Sequence, residues 1–417
     1  MDFQNVELLA PAGSFESLQA AIHAGADSIY FGVEQLNMRA RSSINFSIEQ
    51  MQEIREITRK AGVKAYLTLN TVLYDHDMRL MKVILQKAKE ANIDAVIVSD
   101  MAAILYAREI GLPVHISTQL SVSNFEAVKF YAQFADTIVL ARELTLPMIQ
   151  KICQKIDQED IRGASGNRLK IEIFAHGALC IAISGRCGMS LYTSNASANR
   201  GACKQNCRKP YVVTDKETGM ELEIDNEYIM SPKDICTIDF LDEVLVSGVR
   251  VLKLEGRGRS PDYVDEVTRC YREAIEALQT GTYNDEKIAK WRERLSSVYN
   301  RGLSDGYYLG RKQGWSKKPD SQATEKKVYC GKVVHYFPKA KVAQIQLEAN
   351  DLAIQQKILI TGVTTGVVRD FVREIRNEDD EPLSFAGRTS LITIPMEQLV
   401  RRGDKVYRLD PVFQYAN

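Results

Sequence analysis

Two rhythms of apolar and polar positions alternate along the chain from its start to Leu278. Short, near-continuously apolar runs at Val6–Ala10, Ser28–Val33, Lys64–Asn70, Ala95–Ser99, Pro113–Ser117, Thr137–Ala141, Lys170–Ala175 and Val251–Glu255 predict strands buried on both faces. Between them, apolar residues recur every three or four positions and predict amphipathic helices at Phe15–His23, Ser47–Lys60, Met78–Ala91, Ala102–Ile110, Phe125–Phe134, Leu146–Ile156, Phe240–Val246 and Pro261–Leu278. In the second of these, Ser47 stands as N-cap ahead of a Glu/Gln pair, and Gly62 follows the end. Strand and helix alternating eight times predict a TIM-like (β/α)8 barrel, with a doubly wound sheet as the alternative. In a barrel the chemistry belongs at the C-terminal strand ends, which selects Pro11, Glu34, Asn70, Asp100, Gln119, Arg142, Glu143, His176, Glu255, Gly256 and Arg257.

The rhythm fails once, between Ala175 and Val251, where the connection is far longer than a βα unit needs. Residues 176–236 form a Cys-rich insertion within a barrel domain spanning 1–282. The later part, Tyr211–Thr214 and Met220–Ile224 around a polar turn with Gly219, reads as a hairpin. Residues 283–325 read as a helical connector, Asp285–Tyr299, and a linker around Gly314 to Gln322. From 326 to 417 short alternating strands, such as Val342–Leu347 and Ser390–Ile394, predict a small all-β barrel domain.

Composition narrows the class without naming a function. Of 417 residues 45% are hydrophobic and 26% charged, ordinary values for a globular chain. The 54 basic and 54 acidic residues cancel, so attraction to nucleic acid or any other charged partner must come from local clusters. No apolar run approaches the roughly 18 residues that span a bilayer, which argues against a membrane partner. The first residues lack the basic region of a secretory signal, so a cytoplasmic location is expected and the eight cysteines should be thiols or metal ligands.

Five of those eight, Cys180, Cys187, Cys203, Cys207 and Cys236, fall in one 57-residue window. Thiolates gathered there repel one another unless a cation binds them, so a metal or iron–sulfur site is the sharp reading and a group of buried small apolar side chains the plain one. Four ligands suffice for a [4Fe–4S] cluster, which leaves one cysteine spare. The same window carries Arg186, Arg200, Lys204, Arg208 and Lys209 between residues 180 and 210 with no Asp or Glu. Such a stretch can hold an anionic substrate, RNA phosphate or a thiolate-ligated cluster, or be a solvated surface run. Zinc-peptidase, serine-hydrolase and P-loop signatures are missing from the sequence. Among five histidines, His115 lies within a strand, whereas His176 follows one and stands four residues before Cys180, placed to serve as an acid, a base or an outer-shell donor.

The run from Glu172 through His176, Gly177, Cys180, Ser184, Arg186 and Cys187 to Ser190 resembles the signature of the collagenase-like peptidase family U32. Glu7 to Gly13, Asn199 to Cys203, Ser231 to Cys236 and Lys253 to Arg257 match further. The resemblance implies two rival functions. One is a collagenase-like peptidase; the other is prephenate-dependent hydroxylation, either of tRNA at the wobble uridine, of ribosomal RNA, or of ubiquinone precursors. Family members of the second kind use a four-cysteine [4Fe–4S] cluster, whose ligands map to Cys180, Cys187, Cys203 and Cys236, with Cys207 as the alternate. The expectation is a tRNA 5-hydroxyuridine-forming enzyme, with tRNA and possibly a related family subunit as partners. Arg186, Arg200 and Arg257, with Asn70, are the candidate substrate-binding residues. His176, Glu143, Glu172, Lys253 and Glu255 are the candidate catalytic residues.

Overall fold

Eight apolar runs pair edge to edge in parallel and close on themselves, so no strand edge is left bare. The computed structural model describes residues 3–41, 45–212, 214–220, 230–316 and 320–412. The barrel strands are β1 (Glu7–Pro11), β2 (Ser28–Phe31), β3 (Lys64–Leu69), β4 (Ala95–Val98), β5 (Val114–Ile116), β6 (Thr137–Val139), β7 (Lys170–Gly177) and β9 (Val251–Leu254). Closure comes at β9, where Val251 is flanked by Glu7 of β1 and Glu172 of β7. The fold is therefore the TIM-like barrel that the alternating rhythm predicts.

Helices α1 (Phe15–His23), α2 (Gln50–Lys60), α3 (Met78–Glu90), α4 (Met101–Glu109), α5 (Phe125–Ala132) and α6 (Leu146–Gln158) follow the first six strands in turn. A short α7 (Met189–Ser194) lies in the Cys-rich insertion, and α8 (Leu241–Val246) and α9 (Pro261–Gln279) flank β9. Buried residues such as Leu18, Ile54, Ile84, Ile104, Val128 and Ile149 turn inward to one core shared with the strands. Helix α2 starts at Gln50 rather than at a Ser47 cap. The Ser47 hydroxyl is taken by the Glu49 carboxylate, and its amide donates to Gln50 Oε1 over 2.8 Å. Inside the barrel, at the N-terminal end, Glu7 accepts from Ser28 and Tyr66 at 2.8 and 2.5 Å and is held down to about 2. Burial pushes that carboxyl up, but the Tyr66 hydrogen bond and Lys64 outweigh it.

The insertion adds β8 (Asp234–Cys236), which runs antiparallel to β7 at its mouth end, pairing Cys236 with His176. The stretch read as a connector contributes α10 (Asp285–Ser297) and then returns to the barrel mouth: β10 (Leu303–Ser304) pairs with β8, and the Tyr308 hydroxyl donates to the Phe174 carbonyl at 2.8 Å. The predicted hairpin at 211–224 lies in part, at residue 213 and from 221 to 224, outside the described residues.

The all-β module is an antiparallel sheet of eight strands that begins with a long strand, Glu325–Phe337, and ends with Lys405–Pro411. One face covers its own core, including Val333, Ile345, Ile358 and Ile394. Another apolar patch, Leu359 and Val367, packs on Ala20 of α1. Arg369 pairs with Asp265 and Glu266 of α9, and Lys327 with Asp262, which fix the module to the barrel's flank. No helix of the described residues is long and apolar enough to cross a membrane.

Candidate active site

A cavity of about 210 Å³ opens at the C-terminal ends of the strands, between the barrel and the Cys-rich insertion. Alternation along β9 and just beyond it sends Lys253, Glu255 and Arg257 to the same side, and all three line the cavity. Two close backbone approaches make this possible. A Cβ on Gly13 would overlap the carbonyl oxygen of Arg257, and one on Gly177, whose φ is +106°, would overlap that of Glu255.

The deepest polar pair is Lys253 and Glu172, with Nζ 2.7 Å from Oε1. Both are buried, and Glu172 Oε2 has no hydrogen-bond partner. The ammonium also stands 4.6 Å from the centre of the Tyr30 ring and 5.6 Å from that of Phe174. Burial pushes the Glu172 carboxyl up, and Lys253 opposes that without cancelling it. Above this pair, Glu255 Oε1 accepts from Arg39 at 2.7 Å, and Tyr30 hydroxyl stands 3.0 Å from Oε2. Burial raises the Glu255 carboxyl too, yet Arg39, with Arg142 and Arg257, holds it at about 2.

Cations dominate the wall. Arg39, Arg142, Arg208, Lys253, Arg257, Arg259 and Arg301 line the cavity, against one lining carboxylate among the described residues, Glu255. Arg257 is buried and pushed down to about 10 by that burial; Nη2 donates to Asn37 Oδ1 at 3.0 Å, whereas Nη1 has no partner. Arg142 stacks on the Phe174 ring at 4.3 Å and donates to the Ala178 carbonyl, leaving Nε unpartnered. An excess of buried positive charge of this kind favours an anionic occupant.

Four thiols, Cys180, Cys187, Cys203 and Cys207, line the same cavity. The Cys207 thiol is raised by burial and by the proximity of the other three, with Arg208 opposing. Among the described residues no three His, Cys, Asp or Glu side chains are drawn together around a single point. The insertion is held in place by its arginines. Arg208 donates to the carbonyls of Leu179 and Pro232 at 2.6 and 2.7 Å, and Arg200 pairs with Asp77 at 2.7 Å while stacking on Tyr74 at 4.0 Å.

The site residues read from the sequence divide accordingly. Lys253, Glu255, Arg257 and Asn70 line the cavity, and Glu172 touches it through Lys253. Asn70 acts as a brace, accepting from the Met38 amide and donating to Ser117. Arg200 does not face the cavity, because Asp77, the Val72 carbonyl and Tyr74 occupy it, and Arg186 is exposed outside it. His176 is fully enclosed against Tyr263 and Tyr271, and burial lowers it to about 3, so it is a neutral packing residue rather than an acid or base at the cavity. Glu143 sits half-buried in the turn after β6, near Tyr308 and off the cavity wall. Cys236 turns away from the other cysteines toward α9: its sulfur is 3.9 Å from the Tyr271 hydroxyl, and burial pushes the thiol up to about 12. Cys207, the alternate, takes its place on the wall. The sequence reading missed Tyr30, whose apolar neighbours gave no sign of a cavity, and Arg301, which lies within the apparent connector.

A closed (β/α)8 barrel whose mouth combines four cysteines with a cationic wall is the class defined here. The chain belongs to peptidase family U32, whose model matches residues 13–318. It is 52% identical over 411 residues to a protein named collagenase from Porphyromonas gingivalis, covering 98% of this chain and 99% of that one. To a tRNA hydroxylation protein of Bacillus subtilis it is 34% identical over 349 residues, 82% of this chain and 80% of the relative. To a 23S rRNA 5-hydroxycytidine synthase of Escherichia coli it is 30% identical over 363 residues, 85% of this chain and 51% of the relative.

Proposed function

We propose that the protein is an RNA-modifying enzyme that forms 5-hydroxyuridine at the wobble position of tRNA, with prephenate as co-substrate and a [4Fe–4S] cluster on Cys180, Cys187, Cys203 and Cys207. The observation that carries this reading is that four thiols and a set of guanidiniums line one cavity. A bound cluster would supply one-electron chemistry. The chain's own residues would hold the dianionic co-substrate, through Arg257 and Arg142, each of which has an unpartnered N–H, and exclude water with Tyr30, Ile97 and Phe174. At the rim, Tyr192 is 90% exposed on α7, and exposed Lys204 and Lys209 lie in the same acid-free segment, a combination suited to stacking a base and holding its phosphate. The C-terminal module would extend that contact along the tRNA, and a related family subunit could complete it.

The peptidase reading draws on the 52% identity to the collagenase-named relative. Against it, no described Ser, Thr or Cys side chain is hydrogen-bonded to a histidine, and the histidine nearest the cysteines is buried against tyrosines. Nucleoside mass spectrometry of tRNA from a strain lacking the gene should show 5-hydroxyuridine derivatives lost, and restored by the wild-type gene. Unchanged tRNA, with purified protein cleaving denatured collagen, would reverse the choice.

A further inference from the structure

We infer that Lys253 is a carbonyl-capturing amine that condenses with the keto group of a 2-oxo carboxylic acid in the cavity, with Glu172 carrying the proton. The inference deepens the proposed function in that it uses the same cavity, but it does not depend on the cluster or on RNA. Three observations converge on it. Among the described residues Lys253 is the one lysine lining the cavity, and it is buried on a barrel strand where an apolar side chain would pack at lower desolvation cost. Its partner Glu172 binds it through Oε1 alone and keeps Oε2 unpartnered. The cations around it offer a carboxylate seat: Arg142 borders the same Phe174 ring as Lys253, and Arg257, itself buried, has a free Nη1.

The step balances within these groups. The Lys253 ammonium passes a proton across the 2.7 Å bond to Glu172 and becomes a neutral amine. Its lone pair attacks the keto carbon, and a proton moves from nitrogen to oxygen to give a neutral carbinolamine. Glu172 then returns its proton to the departing hydroxyl, so that water leaves and a protonated imine remains beside the regenerated carboxylate. Burial, which raises the Glu172 carboxyl, favours the first transfer, because proton transfer replaces two buried charges with two neutral groups. The Tyr30 ring then faces the iminium as it faced the ammonium.

Reductive trapping tests this directly. The full-length protein is incubated with pyruvate and sodium cyanoborohydride, with lactate as the control that lacks a carbonyl, and digested for peptide mass spectrometry. Lys253 should carry the reductively attached pyruvate in preference to the surface lysines, and should be unlabelled with lactate. Glu172→Gln, checked for native fold by circular dichroism, should label at least ~100-fold more slowly, as expected when a positioned acid–base group is lost. Labelling spread over surface lysines with Lys253 untouched would overturn the inference, and wild-type labelling of Glu172→Gln would overturn the proton-carrying role. Loss of tRNA hydroxylation on gene deletion together with an unlabelled Lys253 sinks this inference and leaves the proposed function standing. A labelled Lys253 with unchanged tRNA does the reverse.

Discussion

Replacing Lys253 by Met would leave the Glu172 carboxylate buried with no cation beside it. In the native protein the pair stands at 2.7 Å, with side chains 5% and 0% exposed, so almost none of the attraction is screened by water. Removing one member of such a pair costs about 3–5 kcal/mol, mostly the uncompensated charge left behind. Taking ~2.1 cal/mol/K per residue over a barrel unit of roughly 300 residues gives an unfolding entropy near 0.6 kcal/mol/K, so Tm should fall by about 5–8 °C. The sign with pH follows from Glu172, whose folded carboxyl lies above its unfolded value. Protonation stabilises the fold, so that contribution is fully present below about pH 4 and is lost as pH rises through the folded value. Differential scanning calorimetry from pH 4 to pH 8 should therefore show the Lys253→Met deficit growing toward neutrality. The double variant Glu172→Leu with Lys253→Met, which removes both charges, should recover most of it. A deficit under ~1 kcal/mol at pH 7, or one that grows on acidification, would refute the reasoning.

Other expectations are more local. Cys207→Ser should lower the iron content of anaerobically purified protein and bleach its visible absorbance, whereas Cys236→Ser should keep both; the opposite pattern would return Cys236 to the ligand set. Arg200→Ala removes the ion pair with Asp77 and the stack on Tyr74, and amide exchange in residues 187–203 should accelerate while α2 stays protected. The Arg200 hydrogen bond holds the Asp77 carboxyl below its usual range, so its stabilisation is present above the unfolded value and lost as pH falls through the folded one; the variant's acid limb should be shallower. Tyr192→Ala should weaken tRNA binding by about 1–3 kcal/mol in a filter-binding titration without changing Tm, the loss expected of one stacked base.

The barrel was legible because buried parallel strands are apolar on both faces, so each of the eight runs announced itself locally. Strand ends correctly marked Asn70, Arg142, Glu255 and Arg257, since a barrel sends its C-terminal ends to one mouth. The Cys-rich insertion resisted the same approach, because its three 3-10 turns and short α7 have no long period to read. Spacing shows that five cysteines are close in sequence, but it does not show the direction of each side chain. Cys236 turns toward α9 because β8 pairs antiparallel with β7, a reversal that apolar patterning cannot encode. Of the basic residues read from the sequence, Arg257 lines the cavity, whereas those of the insertion lie differently for a related reason. Arg200 and Arg208 are spent on Asp77 and on backbone carbonyls, holding the insertion down, while the unpartnered donors at the cavity belong to Arg142, Arg257 and Arg301.

The close passage of the chain end of β9 beneath Gly13 and Gly177 reaches beyond local geometry. In a saturation library of this gene, those two codons would be as unforgiving as the cysteine codons, although neither glycine carries a reactive group. Any side chain there displaces the backbone that aims Glu255 and Arg257 into the cavity. Ranking positions by lost activity alone would mix clearance with chemistry. Scoring abundance in the same library separates them: glycine variants should be depleted from the folded pool, and variants of the unpartnered cations should persist in it.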